Sequence, residues 1–329
     1  MRCILKNLQE KKKENKEGVR NFQINDLNNY SILHSVKCFL NIYFDTWIYC
    51  IKILINKKLA IGVRTSILFI INNENYNIDL KINNNKQRLY CIEQIKNENI
   101  ILSFSNGDIR ILKLFNNSYE IIQDIYNAHN YKRIYNIIEL KGNINEFNFI
   151  SCSEDKSIKL WSIKNKNNLY EEIFQIKEDD EIFNIKEIKN NIIIYDIYKF
   201  ETIKFYDLKE KKEIKQINNL KLSDWWNNFI IINKKLIICG NEKIYFIDID
   251  TYLIIKEINY NYIICSGVKI NDNSFIIGDY KGNLVEFNIN NDTPISIKNN
   301  AHIDYIRSII IYNNILITGG EDKTLKFWK

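Results

Sequence analysis

Serine, glutamate, aspartate and lysine crowd into SCSEDKSIKLW, Ser151 to Trp161, and a near copy, TGGEDKTLKFW, runs from Thr318 to Trp328. A histidine precedes each phrase, His129 and His302. Serine, histidine and aspartate together are the ingredients of a nucleophilic triad, in which the imidazole takes the hydroxyl proton and the carboxylate orients the imidazole. That chemistry needs the serine on an exposed elbow of the G-x-S-x-G kind, which the chain lacks. Ser151 falls instead inside an apolar, strand-like run, and the constellation occurs twice, each time with a tryptophan as last member. Duplication of this sort indicates scaffolding. The other routes to chemistry are as thin: His34, His129 and His302 have no ligand neighbour at i+4, and there is no H-E-x-x-H, paired CxxC, G-x-x-x-x-G-K-[ST] or G-x-G-x-x-G. No catalytic residue, metal site or cofactor is expected, and the chain is not expected to be an enzyme.

Whatever positions these residues must be built from a chain that is 46% hydrophobic and 13% aromatic, with one proline and ten glycines in 329 residues. This composition is globular and excludes collagen-like and proline-rich disordered classes. The net charge is +6, of which +4 lies in Met1 to Arg20, where seven Lys or Arg face three Glu. The near-neutral remainder shows no basic stripe interleaved with aromatics, so direct nucleic-acid binding is not expected. No apolar run approaches the length of a membrane span, and no signal peptide is indicated. Seven cysteines (3, 38, 50, 91, 152, 239 and 265) are scattered without a CxxC pair. They read as reduced, mostly buried thiols, which points to the cytosol or nucleus.

The two phrases lie 167 residues apart, four steps of about 42, so they act as a ruler for internal repeats. Worn copies fall at the marks. LAIGVRTSILFI ends at Ile70 and LSFSNGDIRIL at Leu112; the full phrase ends at Trp161; the later copies carry Tyr206, Ile247, Phe287 and Trp328 at the same position. Each copy divides into short runs rich in Ile, Tyr and Phe separated by Asn, Lys, Asp or Gly, so β is favoured over helix. In the third copy the expected strands are Tyr135 to Leu140, Asn148 to Ser153, Ser157 to Ile163 and Glu171 to Lys177.

With Ala-His before the first strand, Ser or Thr on the second, Asp in the turn and Trp on the third, these copies resemble the WD-repeat (WD40) β-propeller family. The resemblance covers roughly residues 36 to 329 and is fully worded in copies three and seven. It implies an all-β, seven-bladed propeller of four-stranded antiparallel blades, 28 strands in seven groups, spanning residues 35–329 after a largely basic, flexible extension of residues 1–34. Ser35 to Ile42, SVKCFLNI, is expected to close the ring by completing the last blade. It further implies two structural hydrogen-bonded tetrads, His129–Ser151–Asp155–Trp161 and His302–Thr318–Asp322–Trp328.

In such a fold the loops of successive copies gather on one face. Aligning copies on the first strand places Trp47, Arg88, Arg133, Glu181, Trp225, Tyr262 and Tyr305 in one slot. Six of the seven are aromatic or Arg, the residue types that dominate interface hot spots. The implied function is a non-catalytic scaffold binding protein or peptide partners on the loop-lined face. The alternative is a substrate-recognition or regulatory subunit of a larger complex, such as a ubiquitin ligase or a chromatin or RNA-processing assembly.

Overall fold

A computed structural model describes residues 32–84, 87–116, 118–141, 148–164, 169–199, 201–222 and 228–329. A single helical turn, α1 (Ile32–Ser35), is followed by β1 (Cys38–Tyr43). The strands that follow come in hairpin-connected groups. They are β2 (Ile48–Ile53), β3 (Leu59–Val63), β4 (Ile67–Ile71) and β5 (Ile78–Asn83), then β6 (Leu89–Gln94), β7 (Ile100–Phe104), β8 (Ile109–Leu114) and β9 (Tyr119–Ile125). The third group is β10 (Ile134–Glu139), β11 (Phe149–Ser153), β12 (Ser157–Lys164) and β13 (Leu169–Lys177), and the fourth β14 (Ile185–Lys189), β15 (Ile192–Ile197), β16 (Thr202–Asp207) and β17 (Lys212–Ile217). Next come β18 (Asn228–Ile232), β19 (Lys235–Cys239), β20 (Asn241–Asp248) and β21 (Ile254–Lys269), then β22 (Ser274–Asp279), β23 (Leu284–Asn288) and β24 (Pro294–Lys298). β25 (Ile306–Tyr312), β26 (Ile315–Gly320) and β27 (Thr324–Trp328) end the chain.

All pairings are antiparallel. The last sheet has the order β1-β27-β26-β25, so the strand expected from SVKCFLNI does lie against Thr324–Trp328, with Cys38 opposite Trp328 and Tyr43 opposite Thr324. The fold takes hold of the chain earlier than residue 35: Leu33, in α1, is 2% exposed, and its N–H donates to Glu286 Oε2 at 3.2 Å. Residues 1–31 lie outside the described part. The expected 28 strands in seven groups are, among the described residues, 27 strands in six sheets. β21 is the reason. IIKEINYNYIICSGVK contains no break between its β-forming residues, so one extended strand pairs with β20 along its first part and with β22 along its last.

The second strands are the most buried because both faces of each sheet are covered. β3, β7 and β11 are buried at every residue, whereas the outer strands β1 and β17 are largely exposed. Seven apolar clusters each join two neighbouring groups, and one of them packs Ile48, Leu59 and Ile61 of the first against Ile317, Leu325 and Phe327 of the last. Each fully buried Ile, Leu or Phe contributes about 1.5–3 kcal/mol. The first strands also touch in order: β2 with β6, β6 with β10, β10 with β14, β14 with β18, β18 with β21, β21 with β25, and β25 with β2.

One turn recurs in every copy. A residue with positive φ occurs between second and third strands at Ser66, Gly107, Lys156, Glu201, Gly282 and Lys323, and in the fifth copy at Glu242, the second residue of β20. Five residues later the register slips by a bulge in six of them, at Ile71, Leu112, Trp161, Tyr206, Ile247 and Phe287. In the first copy the tryptophan position is therefore Ile71, not Ile70. The run Phe69-Ile70-Ile71 hides the choice in sequence, since all three are apolar.

Candidate functional site

The two phrases form matching networks. In the third copy Trp161 Nε1 donates to Ser151 Oγ at 2.8 Å, His129 Nε2 lies 2.7 Å from the same oxygen, and His129 Nδ1 lies 3.0 Å from Asp155 Oδ1. In the seventh, Trp328 Nε1 donates to Thr318 Oγ1 at 2.9 Å, with His302 Nε2 at 2.6 Å from that oxygen and Nδ1 at 2.9 Å from Asp322 Oδ1. Ser157 and Thr324 hydroxyls each add a 2.6 Å bond to the aspartate.

Charge follows from this wiring. Burial pulls both histidines below their ordinary value, against the opposing pull of Asp155 and Asp322, so the rings are neutral. Burial by itself would raise the carboxyls, but the bonds from histidine and hydroxyl outweigh it, lowering Asp155 and holding Asp322 at about 2. The imidazole then carries its proton on Nδ1 toward aspartate and accepts the hydroxyl proton at Nε2. This is triad connectivity with the nucleophile sealed in: Ser151 and Thr318 are 0% exposed, and an indole N–H occupies the face a carbonyl carbon would need.

Each network depends on a glycine of the preceding copy, which the sequence reading did not single out. His129 N–H donates to Gly107 O at 3.1 Å and His302 N–H to Gly282 O at 2.9 Å. Both glycines have φ +79°, and a Cβ would stand 2.1 Å from the His302 carbonyl oxygen at Gly282 and 2.9 Å from that of Lys132 at Gly107. Only glycine combines that φ with that approach. The signal was present as NGD and KGN, about twenty residues before each histidine.

At the start of the first strands, one backbone bond defines the slot. The residue's carbonyl accepts the N–H of a residue in or beside the recurrent turn: Trp47 from Arg64, Arg88 from Ser105, Arg133 from Glu154, Glu181 from Tyr198 and Tyr305 from Glu321, at 2.9–3.0 Å. In the sixth copy that carbonyl belongs to Ile263, which accepts from Tyr280 at 3.1 Å, so Tyr262 is one residue out of register. The unbroken β21 removed the gap that would have marked the boundary. Trp225, with its neighbour Trp226, lies outside the described residues.

Two positions beyond the slot stand residues that the alignment passed over. Tyr49, Tyr90, Tyr135 and Phe183 meet edge to edge or stacked, at centroid separations of 5.3, 6.0 and 4.3 Å, and Phe183 continues to Tyr198 at 5.1 Å. Arg307 occupies the same position in the seventh copy, its guanidinium 5.4 Å from the Tyr49 ring and 5.5 Å from the Tyr305 ring, and it pairs with Glu321. Tyr305, Tyr280 and Tyr262 extend the line at 6.0 and 5.9 Å. Arg133 reaches Glu154 at 2.9 Å, and Tyr135 donates to Glu181 at 3.0 Å. Burial first, then Glu181, push the Tyr135 phenol far up, so it stays a neutral donor. The belt was readable as the recurring pairs IY, LY, IY, IF and IR at 48, 89, 134, 182 and 306.

The family model described as WD domain, G-beta repeat, matches residues 126–162 and 296–329, the two segments that hold the complete networks. The chain carries WD repeats in these two segments. No curated protein matches it. WD repeats generally mediate contacts between proteins and are generally non-catalytic. In the second copy the turn and the bulge persist while Leu102 and Leu112 stand where Ser151 and Trp161 stand in the third. Among the described residues no cluster of His, Cys, Asp or Glu is placed to hold a metal, and no helix is long and apolar enough to cross a membrane.

Proposed function

We propose that residues 35–329 form a closed seven-bladed propeller that serves as a non-catalytic scaffold for protein or peptide partners, bound where the first strands begin. Seven recurrent turns, the unbroken succession of first-strand contacts and the apolar cluster joining first and last groups support the ring. The aromatic and arginine belt carries the binding reading. Tyr and Arg offer large amphipathic contact at modest entropic cost, and Arg88 and Tyr262 are exposed at its margin. The two tetrads hold the copies in shape and leave the partner to these side chains.

Residence in the cytosol or nucleus is part of the proposal, supported by six described cysteines that are all free thiols, three of them buried. A role as subunit of a larger assembly fits the same face, and Tyr126 and Tyr131, each 74% exposed beside the His129 network, offer it additional area. The test is affinity capture with the full chain and a variant carrying Arg88→Ala, Tyr90→Ala and Tyr305→Ala. Loss of the captured proteins with an unchanged circular dichroism spectrum is expected. Full capture by the folded variant would move the binding surface elsewhere.

A further inference from the structure

A cavity of about 330 Å³ opens where the ends of β2, β6, β10 and β14 meet the start of β18. The carboxylates on its wall are engaged. Glu93 accepts from Lys52 Nζ at 2.5 Å, Glu139 from the Lys96 N–H at 2.6 Å, and Glu187 from the Lys141 N–H at 2.6 Å. Lys186, in the middle of β14, differs from them. Its Nζ donates to the carbonyl oxygen of Phe229 at 2.7 Å, and among the described residues no carboxylate stands within ion-pairing distance of it. An amine on a partly buried side chain, held by one main-chain carbonyl and with no carboxylate at ion-pairing distance among the described residues, is poorly compensated as an ammonium.

We infer that Lys186 is a nucleophilic amine that captures small aldehydes within this cavity as an imine. The volume admits a molecule of a few heavy atoms, at the low end of small-molecule sites. The Nζ lone pair attacks the carbonyl carbon, forming a C–N bond as the C=O electron pair moves to oxygen and takes up a proton. The resulting carbinolamine loses water to give the C=N bond, so no oxidant or reductant is consumed. The Phe229 carbonyl, which accepts from the free amine, accepts equally from the protonated imine and favours its formation.

Protonation state supports this geometry. Burial first, then the positive charges of Lys141 and Lys52, bring Lys186 down to about 8, with Glu93 opposing. Glu139 and Glu187 complete the charged groups around the cavity, each bonded to main chain as above. Near neutral pH the unprotonated fraction then exceeds that of a solvent lysine by about two orders of magnitude.

The test is reductive labelling of the full chain with propanal and cyanoborohydride near neutral pH, followed over time by peptide mass mapping. Lys186 should label at least about tenfold faster than Lys234, whose side chain is 79% exposed. Raising the pH should bring the Lys186 rate to a plateau, and unfolding in urea should equalise the two. In Lys186→Arg the fast-labelled site should vanish with the melting temperature kept. Equal or slower labelling of Lys186 in the native wild-type chain overturns the inference, and that comparison needs no variant to fold.

Discussion

At the level of single residues, Ser151 and Thr318 matter because each oxygen serves two partners at once. It accepts an indole N–H and donates to an imidazole, and the imidazole donates its single N–H, at Nδ1, to a carboxylate. Removing the last member strands the rest: Asp155→Ala should cost about 1–3 kcal/mol, because the His129 N–H and the Ser157 hydroxyl lose a buried acceptor. Urea unfolding of the variant measures this, and an unchanged midpoint would refute it. The same wiring sets a pH dependence. Both histidines sit below the ordinary value of 6.5 in the folded chain, so the unfolded chain binds more protons and stability falls as pH drops below about 6.5. Asp322, lowered to about 2, adds a second loss as pH falls from its ordinary 3.8 through that value. Thermal melts at a series of pH values should show both losses, with the upper one abolished in a His129→Gln, His302→Gln double variant.

Elements impose the next set of demands. The turn between second and third strands needs a left-handed residue in every copy, and most copies meet it with Ser, Lys or Glu. Only the copies preceding a histidine network use glycine, and there the next copy's backbone presses on the turn. Gly282→Ala and Gly107→Ala should both destabilise, by roughly 1–3 kcal/mol, with Gly282 the more damaging since its Cβ would lie closer to main chain. Equal midpoints for the two variants would contradict the ranking. β1 is the other element with a global task. Deleting residues 1–43 would uncover the edge of β27 and part of the Phe327 cluster. A lowered melting temperature together with concentration-dependent association is expected, because an unpaired edge templates further pairing.

For the whole molecule, the repeat is a geometric device in which no group buries both of its faces alone. Each apolar cluster is shared by two neighbours, so stability is spread around the chain and worn copies persist between two well-formed ones. This explains why copies lacking His, Ser and Trp still hold the turn and the bulge: packing needs the volume and the register, not the network. Four of the six net positive charges belong to Met1 to Arg20, and the binding surface we propose rests on aromatic area rather than on charge.

Periodicity, strand-rich composition and the duplicated phrase were sufficient to reveal an all-β repeat, because those features follow from local pattern and a fixed step, whereas the two hydrogen-bonded networks and the strand from the amino end paired with the last came from the family resemblance. The third copy's strands fall within a residue or two of the expected bounds. Register inside worn copies was another matter. Ile71 in place of Ile70 and Ile263 in place of Tyr262 differ by one residue in runs where every neighbour is apolar or aromatic, and only the hydrogen-bond partner across the sheet distinguishes them. The belt through Tyr49, Tyr90, Tyr135, Phe183 and Arg307, and the bond from Lys186 to the Phe229 carbonyl, arise from residues dozens of positions apart brought together by the packing of separate groups. A chain read along its length records which side chains alternate, and only the folded sheets decide which of them meet.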